Sequence, residues 1–211
     1  MVERVVISRT RGEQRAIAKD FVFSREMIPA AEPTFLREYR EHAWEIYERL
    51  PMPVTSDEPW RRTNISGLHA GAFRLPGTSQ ATELPDIPAD LLQSVADNDY
   101  GGQVLLSPQG VQVRLSPELE AKGVVFTDLA SAEKNHAQIY ERILSQVVRP
   151  EEGKFAALAG ALAQQGVLLY VPPGVHIEQP LHSLLWGPGL NMAYFPHCQH
   201  NPGYEIHSGS I

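Results

Sequence analysis

The residues best suited to chemistry gather late in the sequence: His197, Cys198, His200 and His207. Thiolate and neutral imidazole are the donors that zinc and iron accept. Their spacings, Cys-x-His and His-x6-His, match no standard zinc framework. The plainer reading is an irregular polar stretch with no ligand role, so no metal residue is assigned. A second group is Trp60-Arg61-Arg62-Thr63-Asn64. Two adjacent guanidinium groups can clamp a phosphate or carboxylate, but no glycine-rich phosphate loop accompanies them. A Trp anchored in the core, with Arg61 or Arg62 paired to Asp57 or Glu58, is the favoured reading. His136 and His182 lie inside regular segments and read as structural, because a catalytic base also needs a placed partner. Glu151 and Glu152 open a helix, where they complement its dipole.

Other signatures are missing from the sequence. There is no G-x-G-x-x-G, no G-x-x-x-x-G-K-[ST], no G-x-S-x-G and no H-E-x-x-H. No catalytic or cofactor-binding residue is therefore assigned, no cofactor is expected, and the chain reads as a non-catalytic scaffold or interaction protein. Lys+Arg number 18 against 25 Asp+Glu, a net charge of -7. This acidic balance disfavours nucleic-acid and anionic-membrane partners. One cysteine in 211 residues excludes an internal disulfide and a four-cysteine cluster built by one chain. With no export signal and no apolar run of membrane-spanning length, a cytoplasmic protein is expected.

These residues need elements to hold them. Phe35, Tyr39, Ala43, Ile46 and Leu50 recur at helical spacing, predicting a helix over 34–50 capped by Thr34. Arg37–Glu41 and Glu45–Arg49 would pair on its wet side, and Pro51-Met52-Pro53 would stop it. Loops follow, broken by Pro76-Gly77 and Pro85, with a short helix from Pro88 to Ala96. Val104–Leu106 and Val111–Leu115 flank Ser107-Pro108-Gln109-Gly110, which reads as a hairpin. Val111, Val113 and Leu115 alternate with polar residues, predicting a strand buried on one face. Val124–Phe126 is a third strand. A helix over 129–147 carries Ile139, Tyr140, Ile143, Leu144 and Val147, with a break near Asn135-His136. Another spans 154–165, with Phe155, Leu158, Ala159, Leu162 and Ala163 as its stripe and Gly166 as a left-handed cap. Short strand-like runs follow at Val167–Val171, Val175–Gln179 and His182–Trp186, suggesting a rolled or solenoid β-architecture. After Phe195 neither period is visible.

The order of segments carries a resemblance. Tyr-Glu-Arg-Leu-Pro-Met-Pro at 47–53 leads into Asp57-Glu58-Pro59-Trp60-Arg61-Arg62-Thr63-Asn64-Ile65. Gly123-Val124-Val125-Phe126-Thr127-Asp128-Leu129 comes later. Lys154–Leu162 then runs into Gly166-Val167-Leu168-Leu169-Tyr170-Val171-Pro172-Pro173-Gly174-Val175. This resembles the SufB/SufD family of iron–sulfur cluster assembly proteins, most like its SufD branch, over about residues 35–195. The resemblance implies an α+β fold: an N-terminal helical or α+β domain over 1–165, then the first coils of a right-handed parallel β-helix over 166–211. It implies partners of the SufB and SufC kind for a full-length member, and matches Trp60, Arg61, Val171, Pro172 and Gly174 as structural positions. Residues after Phe195 depart from the family pattern and are expected to be a divergent tail of a truncated chain. The open end of such a stack would invite a second copy. A carbohydrate-active β-helix enzyme is the competing class, but 167–195 offer only Glu178 as an acid and no Lys or Arg. A small metal-binding domain using the His/Cys tail is the other alternative.

Overall fold

A computed structural model describes residues 20–31, 33–75, 87, 100–107, 110–144, 146, 148–187 and 196–200, the last five as backbone only. The short helix expected at 88–96, the Pro76-Gly77 and Pro85 breaks, and Val147 lie outside these residues. By internal contact the chain divides into a small unit, Met52–Ala72 with residues 20–22, and a large one, Phe23–Pro51 with the residues from Phe73 onward.

Helix α1 of the large unit spans Thr34–Arg49. Pro33 holds the extended conformation before it (φ -65°, ψ 126°), so Thr34 is the first helical residue and not the cap. Leu36, Arg40, Ala43, Trp44, Ile46 and Tyr47 are buried, while Phe35 and Tyr39 are only half-buried. The buried face is thus turned slightly from the expected one. The expected pairings within the helix are also replaced. Glu41 pairs with Arg25, from the segment before the helix, and Arg49 donates to the Glu45 backbone carbonyl. Leu50 is extended, as a residue before proline prefers.

Strands β1 (Gly102–Ser107) and β2 (Gly110–Leu115) form the expected antiparallel hairpin, with Ser107 opposite Gly110. The short helix α2 (Pro117–Ala121) is capped by Ser116, whose hydroxyl accepts the Leu119 N–H. Strand β3 covers Val125–Asp128, and Asp128 caps α3 (Leu129–Asn135) by accepting from the Ser131 N–H. The chain breaks at His136 (φ -133°, ψ 31°) and resumes as α4, Ala137–Ile143. The break expected at 135–136 is therefore present.

Helix α5, Lys154–Leu162, ends earlier than residue 165. Its orphan carbonyl at Ala163 accepts from the buried Arg40 guanidinium (3.2 Å), which supplies the partner that a helix end needs. Gly166 is not a left-handed cap. It lies in strand β4, Gln165–Tyr170, and positive φ belongs to Gly110, Gly123 and Gly174. Strand β5 is Leu181–Leu185, whereas 175–179, expected as a strand, has no regular structure. Between β4 and β5, Val175 N–H donates to Pro172 O (3.1 Å) with Gly174 at φ +78°. That is the arrangement of a type II turn, in which glycine serves the third position. The expectation of an irregular stretch after Phe195 is also corrected, because Pro196–His200 forms strand β6.

The strands make two three-stranded sheets, β2-β1-β5 and β3-β4-β6. In each, one neighbour of the central strand is antiparallel and the other parallel. Successive residues of β4 point to opposite faces and find different cores. Val167 packs with Val104, Leu106 and Phe126 between the sheets, while Leu168 packs with Leu36, Leu129, Tyr140 and Ile143 beneath the helices. The large unit is a mixed α+β structure with β3-β4-β6 between a helical layer and the second sheet. Burial on both faces explains why 167–171 reads as an unbroken apolar run.

β2 departs from its predicted burial. Gly110–Arg114 are all exposed, and Val111 and Val113 keep 40% of their surface. Of β2, Leu115 packs against the inter-sheet core, and Val111 and Val113 are not among the residues packed there.

In the small unit, Met52 and Ala70 are buried and Trp60, Ile65 and Leu68 are half-buried. Asp57 accepts the Val54 N–H (2.9 Å), closing the turn before the short 3-10 segment Glu58–Trp60.

Candidate interaction surface

Each described side chain singled out for chemistry has its own local surroundings. Arg61 faces Glu58 at 3.6 Å on an exposed surface, and Arg62 is exposed. Trp60 is half-buried beside them, so the expected Arg61–Glu58 pairing is present while the tryptophan is not fully in a core. His182 on β5 meets the Gln103 side chain on β1 (3.3 Å), across the parallel pairing of those residues. His136 sits at the α3–α4 break, its N–H donating to Ala132 O. Glu152 accepts the Arg149 N–H, and Glu151 lies 3.0 Å from His42 on α1. The Glu151 carboxyl is held below its usual range by a backbone hydrogen bond and by His42. His197, Cys198 and His200 lie in β6, with Cys198 in register with Val167, and His207 is outside the described residues. Among the described residues, no group of three or more His, Cys, Asp or Glu is placed to hold a metal ion.

Two buried cations escaped the sequence reading. Lys154, at the start of α5, donates to Tyr47 O (3.0 Å) and lies 4.1 Å from the centre of the Tyr47 ring. Arg40 is 4% exposed and donates to Pro29 O, Ala30 O, Glu133 Oε1 and Ala163 O. Desolvation raises the Glu133 pKa above its usual range, against the pull of Arg40. Arg40 could have been noticed as a charged residue on the stripe with Leu36, Ala43 and Trp44. These groups tie helices and loops together.

What the fold offers outward is strand edge. Among the described residues, β5 pairs with β1 alone and β6 with β4 alone. Neither β5 nor β6 carries an Asp, Glu, Lys or Arg, the side chains that usually guard an open edge. β4, β5 and β6 begin at residues 165, 181 and 196, and feed the two sheets alternately.

Residues 13–182 match the family model described as the SufBD protein N-terminal region. The chain belongs to the SufB/SufD family. It is similar to the iron–sulfur cluster assembly protein SufD of Bacillus subtilis, at 30% identity over 167 residues, covering 79% of this chain and 38% of the relative. The SufB protein of the same organism is 26% identical over 191 residues, covering 86% and 40%. A SufBD family protein of Mycobacterium bovis is 26% identical over 198 residues, covering 88% and 22%. Identity thus favours the SufD side of the SufB/SufD family, and the chain spans less than half the length of each of these relatives. Its Trp60-Arg61 and Gly166–Val175 segments both fall within the matched region. Among the described residues, no helix is long and apolar enough to cross a membrane.

Proposed function

We propose that this chain is a SufD-like component of the iron–sulfur cluster assembly machinery, acting through protein–protein contact and not by catalysis. Its working place is the cytoplasm, and its partners are proteins of the SufB and SufC kind. The observation that carries the reading is the family match over 13–182. The geometry is compatible with it, since β5 and β6 carry no charged residue and, among the described residues, each pairs on one side alone.

Residues 165–200 are read as the opening coils of a right-handed parallel β-helix. Alternate delivery of β4, β5 and β6 to two facing sheets, with β5 parallel to β1 and β6 parallel to β4, supports this. In a stack of this kind each coil covers the one before. The outer edges of β5 and β6 are then where further strands add.

The test is genetic. Deleting the gene should lower the activity of several unrelated iron–sulfur enzymes while enzymes without clusters keep theirs. Unchanged iron–sulfur enzyme activity under iron limitation and oxidative stress would overturn the proposal.

A further inference from the structure

β2 lies at the opposite side of its sheet from β5, and among the described residues no strand pairs with its outer edge. Backbone bonds establish which way its residues face. Ser116 N–H donates to Gly101 O (2.7 Å), so the Gly101 carbonyl points toward the β2 side at the foot of the hairpin, while the Gly101 N–H donates to Pro180 O (3.0 Å). Trp186 N–H donates to Leu106 O (2.8 Å), so Leu106 directs its carbonyl toward the β5 side and not toward Val111. Hydrogen-bonded and non-bonded pairs alternate along an antiparallel ladder. Gln112 and Arg114 therefore bond to β1, while Val111 and Val113 turn their N–H and C=O groups outward. The side chains of Val111 and Val113 stand in register with Leu106 and Val104, on the face that forms the inter-sheet core, yet remain 40% exposed.

We propose that β2 pairs with β2 of a second copy of this chain, antiparallel, about a two-fold axis at Gln112. The strand is self-complementary in that register. Val111 falls opposite Val113 of the second copy, and Val113 opposite its Val111. Both are hydrogen-bonded pairs made by the groups that point outward. The four valines extend the apolar face of the sheet across the axis. Arg114, the one charged residue of β2, falls opposite Gly110 of the second copy, so like charges do not meet. A two-fold interface requires this reciprocity. The neighbourhood of β5 is different: its ladder is parallel and suits further parallel strands.

Sedimentation equilibrium of the full chain should show a monomer–dimer equilibrium. In a Cys198→Ser background, Gln112→Cys should give a disulfide-linked dimer on mild oxidation. Residues facing each other in a non-hydrogen-bonded pair lie about 4.5 Å apart at Cα, close enough for a disulfide. Arg114→Cys in the same background should not cross-link. Val113→Pro removes an outward N–H without touching the β1 ladder and should leave a folded monomer. Gln112→Lys, which sets like charges face to face, should do the same and covers the case in which the proline variant fails to fold. Ser183→Lys on β5 should leave the dimer intact. A chain that stays monomeric at its solubility limit would overturn the proposal. So would a dimer that survives Gln112→Lys, or one lost on Ser183→Lys instead.

Discussion

Replacing Arg40 by methionine should cost about 3 kcal/mol of folding stability, at the lower end of the range for removing one partner of a buried ion pair. The side chain is 4% exposed and its guanidinium reaches four acceptors on three separate segments. Methionine keeps much of the volume but leaves the Ala163 carbonyl and the Glu133 carboxylate without their donor. Glu133 retains 19% side-chain exposure, so water recovers part of the loss, which is why the lower end applies. Glu133→Gln should behave in the opposite way. Desolvation outweighs Arg40 and raises the Glu133 pKa, so the ionised carboxylate is the form that the fold disfavours. With the folded pKa above the unfolded one, this group's contribution is full below the unfolded value and is lost as pH rises through the folded value. The amide keeps an acceptor for Arg40 without the charge. Glu133→Gln should therefore be neutral or slightly stabilising at pH 7, and its advantage over the parent should shrink as pH falls toward about 4. Urea denaturation followed by circular dichroism at both pH values measures this. A loss for Arg40→Met no greater than for the exposed Arg37→Met would refute the reasoning, as would a Glu133→Gln loss equal to that of Arg40→Met.

Three further outcomes are expected. A Cβ at Gly160 would lie 3.0 Å from Tyr39 Oη and 3.2 Å from Ala43 Cβ, so Gly160→Val should force α1 and α5 apart and cost about 1–3 kcal/mol. Thermal melts check it, with Gly153→Val as the comparison because a Cβ there meets nothing within 4 Å. Leu168→Ala, at a fully buried site under the helices, should cost about 2–5 kcal/mol, read from the urea midpoint at constant slope. His42→Ala should change stability by less than about 0.5 kcal/mol, because both partners of its pair with Glu151 are more than half exposed. A larger loss in a denaturant titration would show that α1 depends on that contact.

Elements with strong local signals were legible in the sequence. The extent of α1, the β1–β2 hairpin, the break at His136 and the run 167–171 all lie where periodicity and turn residues put them. Misreadings came where distant residues decide. Thr34 is a good cap by type, but Pro33 already holds the extended residue before the helix. Gly166 looks like a helix terminator, yet Arg40 takes the last carbonyl at Ala163 and releases the glycine to β4. β2 alternates as a half-buried strand should, but Val111 and Val113 are not among the residues packed in the inter-sheet core. Pro196–His200 has no strand pattern of its own. Its ladder to β4 imposes the strand, since pairing and tertiary context override local propensity. Of the candidate site, the Arg61–Glu58 pairing was accessible from residue types. The edges of β2, β5 and β6, unpaired among the described residues, were not, because an edge is a property of sheet order.

Equilibrium binding is the most direct test of a function carried out by contact. The purified 211-residue chain, titrated into SufB-like and SufC-like proteins of the same organism and followed by calorimetry, should give saturable binding with a defined stoichiometry. No heat and no co-migration on size exclusion, from a chain shown by circular dichroism to be folded, would contradict it.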